Sequence, residues 1–136
     1  MESSGKKGTV PHAIMKKVVV DTSMLLSIEE NKVDFFEQAR HLLGKTEFYV
    51  TEQVLEELEK LGAKNSKRAS VAVAKKLLEH NNVKVWKVEA RNADEAIEML
   101  ANKAIIATND AKLRKNALKR GGRVMFLRKK QFIEMS

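Results

Sequence analysis

Two apolar runs in this chain each end on an acid beside hydroxyl groups: Val18-Val19-Val20-Asp21-Thr22-Ser23 near one end, and Ala104-Ile105-Ile106-Ala107-Thr108-Asn109-Asp110 near the other. Short apolar, β-branched runs of this kind read as buried strands. In sheets built from strand-helix-strand units, ligands sit in the crevice beyond the carboxyl ends of the strands. Asp21 and Asp110 are therefore expected at the mouth of a site and not in the core. Taken alone, Asp21 is explained equally well as the cap of a helix beginning near Met24. The second run of the same kind tips the balance toward a site.

Two further acids fall where they can join them. In the helix expected over residues 52–61, Val54, Leu55, Leu58 and Leu61 form the buried stripe; Glu57 lies at its border, while Glu52, Glu56 and Glu59 lie on the far side. The plainer alternative pairs Glu57 with Lys60 or Lys64 on the surface, an interaction worth only a few tenths of a kcal/mol. In the helix expected from Asn92 or Asp94 to about Asn102, the inward stripe is Ala93, Ile97, Leu100 and Ala101, with Asp94 at its edge and Glu95 and Glu98 drifting outward. An acid in a first helical turn is also simply favoured by the helix dipole, and Asp94 fits that description too.

The elements that must position these acids can be read in order. Strands are expected at 18–20, 47–50, 83–88, 104–108 and 123–127. Helices are expected from Met24 onward, over 33–43 ended by Gly44, over 52–61 capped by Thr51 and closed by Gly62, from Asn65 or Ser66 to about His80, over 92–102, and over 111–120 ended by Gly121-Gly122. Strands alternating with helices of this length argue for an α/β fold whose parallel sheet is covered on both faces. In such a sheet Asp21, Glu57, Asp94 and Asp110 all lie at one edge. Trp86, the only tryptophan, is expected to be core more than a base-stacking platform.

Four crowded carboxylates repel one another, and without a counter-ion some would have to bind protons. A divalent cation removes the conflict, and an all-oxygen site favours Mg²⁺ or Mn²⁺. Such an ion lowers the pKa of a bound water and stabilises charge growing on a phosphorane, which is phosphodiester hydrolysis without a protein nucleophile. Thr22, Ser23 and Thr108 would orient the carboxylates through their hydroxyls. Asn109 either shares that work or shapes the turn.

Composition narrows the field. The 136 residues suit one domain, expected over 16–136, able to bury about two thirds of its unfolded surface. Residues 1–15 are polar and read as a flexible leader that need not be native, since Met15-Lys16-Lys17 would make a natural beginning. No apolar run is long enough to cross a membrane. Cysteine is absent, which excludes a disulfide scaffold and a thiol nucleophile and agrees with a cytoplasmic protein. His12, His41 and His80 are scattered without ligand spacing, His41 and His80 in last helical turns.

The net charge of +8 predicts attraction to polyanions. Nine basic residues and no acid stand between Ala111 and Lys130, starting directly after Asp110. A basic run is often only a solvated face; next to an acidic cluster it can hold phosphates while the acids hold metal. Lys112, Arg114, Lys115 and Arg128 are the candidate RNA contacts, Arg114 through the planar fork that suits phosphate. An aromatic content of 5% favours backbone and shape recognition over base stacking.

The chain resembles the PIN-domain nucleases, through the Val-Val-Val-Asp21-Thr22-Ser23 opening, 54–61 with Glu57, Asn92-Ala93-Asp94-Glu95-Ala96-Ile97, and Ile106-Ala107-Thr108-Asn109-Asp110 followed by Leu113-Arg114. The ending Val124-Met125-Phe126-Leu127-Arg128-Lys129-Lys130 is similar to archaeal members near the VapC toxins and the rRNA-processing PIN nucleases. This resemblance covers nearly everything from Lys16 onward. It implies a three-layer sandwich with a five-stranded parallel sheet of order 3-2-1-4-5, an acidic quartet binding Mg²⁺ or Mn²⁺, cleavage of single-stranded RNA, frequent homodimers, and an antitoxin or a pre-ribosomal particle as partner. Asp94 and Asp110 are about one helical turn closer than is usual in that family, so Glu95 or Glu98 is a rival for the third position.

Two other functions compete. One is a non-catalytic PIN-like RNA-binding or ribosome-assembly module, which predicts salt-sensitive RNA binding that survives loss of the acids. The other is a phosphatase forming an aspartyl-phosphate, which needs a second Asp two residues after Asp21, where Ser23 stands.

Overall fold

A computed structural model describes residues 15–136. The expected leader lies outside the described residues except for Met15, and so does His12. The valines of the first run form β1 (Lys16–Val20), flanked by β2 (Thr46–Thr51) and β4 (Ile105–Ala107), with β3 (Lys84–Trp86) and β5 (Val124–Arg128) farther out. These five strands are parallel and stand in the order β3-β2-β1-β4-β5, so strand order reverses between β1 and β4. Val18, Val19 and Val20 are all fully buried. Adjacent residues of a strand point to opposite faces, so both faces of β1 must be covered.

The covering helices are α1 (Thr22–Asn31), α2 (Phe35–Leu43), α3 (Glu52–Gly62), α4 (Arg68–His80), α5 (Ala93–Leu100) and α6 (Ala111–Lys119). Phe35 and Phe36 of α2 pack against Phe48 of β2, with Phe36 edge-on at 4.8 Å between ring centroids. Each such fully buried side chain stabilises the fold by about 1.5–3 kcal/mol. The α5 stripe is buried as expected: Ala93, Ile97, Leu100 and Ala101, joined by Ala96. His41 and His80 end α2 and α4.

The structure departs from the sequence reading in several places. The tail adds a sixth strand, β6 (Phe132–Met135), antiparallel to β5. Its alternation is masked because Ile133 and Met135 pack on the core while Phe132 is 60% exposed. The third strand is confined to Lys84–Trp86, and Trp86 is half-buried beside Tyr49, with the Lys17 ammonium 5.4 Å from its ring. Neither Asn65 nor Ser66 caps α4; Asn65–Lys67 form a 3-10 turn from which α4 continues. Gly62 does not close α3 in the left-handed conformation but is its last residue, where a Cβ would sit 3.2 Å from Val71 of α4. Gly122 is the tighter constraint. A Cβ there would lie 2.4 Å from the Ala101 carbonyl oxygen, so only glycine lets the α6–β5 turn close against the end of α5.

Candidate active site

Asp21, Glu57, Asp94 and Asp110 line one cleft of about 290 Å³ at the carboxyl edge of the sheet. Leu26, Leu61, Ala93 and Ile97 supply its apolar wall. Each acid arrives by a different local device.

Asp21 ends β1 and caps α1: its Oδ1 accepts the Met24 N–H at 2.8 Å. The capping and site readings are thus the same geometry, since a carboxylate at a strand end can serve the next helix and face the crevice together. Its carboxylate also accepts the Ser23 hydroxyl, at 2.9 and 3.0 Å, and the Thr108 hydroxyl on Oδ2. Asp21 is only 5% exposed. Burial pushes its pKa up to about 6, against the opposing pull of the Thr108, Met24 and Ser23 bonds, and the neighbouring charge of Asp110 adds to the rise.

Asp110 caps α6 by accepting the Lys112 and Leu113 N–H groups, both on Oδ1, at 2.9 and 3.1 Å. Among the described residues, its Oδ2 has no protein donor. Asp110 is exposed. Its own N–H donates to Thr108 Oγ1 at 3.0 Å, so one buried hydroxyl is bonded to both the Asp21 carboxylate and the Asp110 backbone. The sequence does not announce this link, because Thr108 lies two residues from Asp110 and eighty-seven from Asp21.

Glu57, on the exposed flank of α3, accepts a hydrogen bond from the Thr22 hydroxyl, which ties it to the turn carrying Asp21. Asp94 stands in the first turn of α5, whose cap is Asn92. Its pKa is raised, by burial first and then by the charges of Asp110, Glu57 and Glu98, with Lys112 opposing. The rivals for the third position are held elsewhere. Glu95 accepts from Arg91, backbone and guanidinium, at 2.7 and 3.0 Å, and Glu98 accepts the Asn116 side-chain amide at 2.8 Å.

Asn109 shapes the turn: its Oδ1 accepts the Leu127 N–H at 2.9 Å and its own N–H donates to Ser23 Oγ at 3.2 Å. It therefore fastens the end of β5 to the turn that carries Asp110. Of the basic candidates, Lys112 is near enough to Asp94 to lower its pKa. Arg114 lies flat over Phe126 at 4.2 Å, Lys115 is exposed on α6, and Arg128 pairs with Glu134 at 3.0 Å.

The four acids share a cleft without forming a tight cage. Among the described residues, no three His, Cys, Asp or Glu side chains are clustered at metal-ligating spacing. Also among the described residues, no helix is long and apolar enough to cross a membrane.

Comparison with known proteins places this architecture. Ribonuclease VapC4 of Methanocaldococcus jannaschii is 33% identical over 129 residues, covering 89% of this chain and 97% of the relative. Ribonuclease VapC9 of Archaeoglobus fulgidus is 34% identical over 122 residues, covering 86% and 88%. Among solved structures, the PIN domain endonuclease Utp24 superposes with a TM-score of 0.72 at 23% identity, over 87% of this chain and 90% of that one. A domain of a functionally unknown protein from M. jannaschii gives 0.60 at 21% identity, over 83% and 91%. At those identities the two structures speak for the fold alone. The family described as PIN like domain matches residues 18–130, from the strand that carries Asp21 to the turn after β5, and the chain belongs to it.

Proposed function

We propose that the chain is a metal-dependent endoribonuclease that hydrolyses phosphodiester bonds of single-stranded RNA at the cleft of Asp21, Glu57, Asp94 and Asp110. The observation that carries this reading is the meeting of four carboxylates from four different elements in one small cleft. The pKa values of Asp21 and Asp94 are raised by burial first and by the neighbouring acids in addition, a cost that a bound cation would offset. The donors are hard oxygens, which suits Mg²⁺ or Mn²⁺. The open spacing of the acids suits it too: mutual repulsion spreads exposed carboxylates, and Glu57, Asp94 and Asp110 are free at the surface to turn inward.

In this reading Asp21 would be the fixed ligand, Asp110 would add its Oδ2, and Glu57 and Asp94 would complete the set. The ion, when bound, activates a water and offsets charge at the phosphorus. The chain's own residues do the rest. Thr22, Ser23 and Thr108 fix the carboxylate oxygens, Asn109 holds the turn, and Lys112, Arg114, Lys115 and Arg128 bind phosphates flanking the scissile bond. The names of the two curated relatives, both ribonucleases, support RNA as substrate, and the resemblance to VapC toxins is what suggests an antitoxin as partner. An rRNA-processing role has weaker support, since it rests on likeness of fold.

The test is cleavage of a labelled single-stranded RNA with Mn²⁺, Mg²⁺ or EDTA, alongside melting with and without each ion. Metal-dependent cutting and a rise in Tm are expected. RNA binding with neither cutting nor a metal-induced Tm shift would favour the non-catalytic module instead, to which the uncaged acids also conform.

A further inference from the structure

The β5–β6 hairpin leaves one of its faces uncovered. Met125↔Met135 and Leu127↔Ile133 pair on the side that packs on the core, where Gln38 of α2 clamps the hairpin by donating to the Gln131 carbonyl and accepting the Ile133 N–H, both at 3.0 Å. Phe126↔Glu134 and Arg128↔Phe132 therefore face the other way, toward α6. There Arg114 covers Phe126, whereas Phe132, at 60%, is the most exposed large apolar side chain among the described residues. Three basic residues stand next to it along the hairpin. Arg128 is its cross-strand partner, and Lys129 and Lys130 form the turn just ahead of it, offset only by Glu134.

The turn is unusual in its residues. Gln131 N–H donates to the Arg128 carbonyl at 3.1 Å, and Lys129 and Lys130 have φ of 54° and 59°. Lys129, Lys130 and Gln131 form a three-residue loop between the paired Arg128 and Phe132, and its first two residues are left-handed, a backbone that Asn and Gly accept most readily. Two lysines are poor occupants of that backbone, and strain of this kind concentrates where a side chain is needed for function. The turn also sits beside the acids: β5 adjoins β4, and Asn109 bonds Leu127 to the turn that carries Asp110.

We propose that this face is a platform for single-stranded RNA, continuous with the acidic cleft. Phe132 stacks a base, and Lys129 and Lys130 hold phosphates on the strand leading to or from the scissile bond. The proposal rests on the reading of RNA as substrate, and it adds a stacking contact that the low aromatic content argued against. An exposed ring among cations next to a backbone-tracking groove is the arrangement that binds unpaired nucleotides, each stacked base contributing severalfold or more in affinity. A neutral peptide would gain nothing from the two lysines, and a second copy of this chain, at net charge +8, would be repelled overall.

The test is anisotropy of a fluorescein-labelled single-stranded RNA, with EDTA present so that binding is read apart from cleavage. Phe132→Ala should weaken binding about tenfold and Phe132→Tyr should restore it. Lys129→Asn with Lys130→Gly should raise Tm, because the turn is relaxed, and yet weaken binding about tenfold. The same double variant should lower the slope of log affinity against log salt by about 1.4, two phosphate contacts' worth. Unchanged affinity and slope in both variants overturn the platform, as does a change of oligomeric state by light scattering without a change in RNA affinity. Under Mn²⁺, a parent that binds RNA through these residues but never cuts it overturns the nuclease reading alone. A parent that cuts with the same KM as both variants overturns the platform alone.

Discussion

Asp21 and Asp110 occupy the same place in the same local pattern, yet they are different chemical groups. Each ends a buried strand, caps the following helix and faces the same cleft. Asp21 is buried, has hydroxyl partners on both oxygens and carries a raised pKa, whereas Asp110 is exposed and satisfies only one oxygen, with backbone N–H groups. The difference follows from what surrounds each strand end. β1 and β4 are the two middle strands of the six, but β1's carboxyl end is walled by β4's turn through Thr108, while β4's own turn opens onto the basic helix α6. Strand-then-acid is therefore a pattern that fixes location but not charge state. The contrast suggests a division of labour in which Asp21 is the preorganised, high-energy ligand and Asp110 the adaptable one.

The sharpest way to break the comparison is to neutralise each acid without changing its shape. Asp21→Asn keeps an oxygen for the Met24 cap and should leave the fold intact by circular dichroism. RNA cleavage should fall by at least about a thousandfold, as expected when a metal ligand is lost. Asp110→Asn keeps both N–H bonds on Oδ1 and should lose at least about a hundredfold. If Asp110→Asn retains parental activity, the two aspartates do not share a metal.

Next in size is the response to pH, in which the raised pKa of Asp21 leads and that of Asp94 adds in the same direction. In metal-free protein its folded pKa of about 6 exceeds the unfolded value of 3.8, so between those limits the folded state binds more protons. Stability is then greatest below about pH 4 and is lost as pH rises through 6, by on the order of 3 kcal/mol for this group alone. Denaturation in EDTA across that window should show the fall in the parent and in Asp110→Asn. Asp21→Asn should remove the larger part of it, leaving what Asp94 contributes. A parental slope in Asp21→Asn would remove the energetic contrast between the two turns.

Thr108→Val tests the link between them. It removes the hydroxyl that donates to Asp21 and accepts from Asp110 N–H. Activity should drop about ten- to a hundredfold, with a stability loss of about 1–3 kcal/mol from the stranded N–H. Thr22→Val, which frees the exposed Glu57, should cost less stability.

The placement of the acids was legible in the sequence because strand endings and helix stripes are local signals: Val18 to Val20 could only be a buried strand, and Glu57 sits where the Val54–Leu61 stripe meets solvent. What was not legible is non-local. Thr108 is legible as a hydroxyl that orients a carboxylate, but its choice of Asp21, like Gln38 clamping the hairpin and Gly122 against Ala101, joins residues distant in the chain, and nothing in their neighbours signals the partner. β6 was missed because Phe132 puts an apolar residue on its solvent face, which hides the alternation that marks a half-buried strand. Glu95 and Glu98 stayed in contention because the spacing from Asp94 to Asp110 is short for the family; the helical wheel already turned them outward, where Arg91 and Asn116 hold them.

That last ambiguity yields the smallest expected effect and the finest test of the cleft's boundary. Asp94 lines the cleft and is perturbed by Asp110 and Glu57; Glu95, its neighbour, is occupied by the Arg91 backbone and guanidinium. The Glu95–Arg91 pair is exposed, and such pairs contribute little to stability. Glu95→Gln should therefore leave cleavage within about twofold of the parent, while Asp94→Asn joins the strongly impaired class. Glu98→Gln keeps an oxygen for Asn116 and should behave like Glu95→Gln. Cleavage rates for the three variants, measured side by side at saturating Mn²⁺, decide the matter: a loss in Glu95→Gln or Glu98→Gln equal to that in Asp94→Asn would move the third ligand along the helix and redraw the cleft around it.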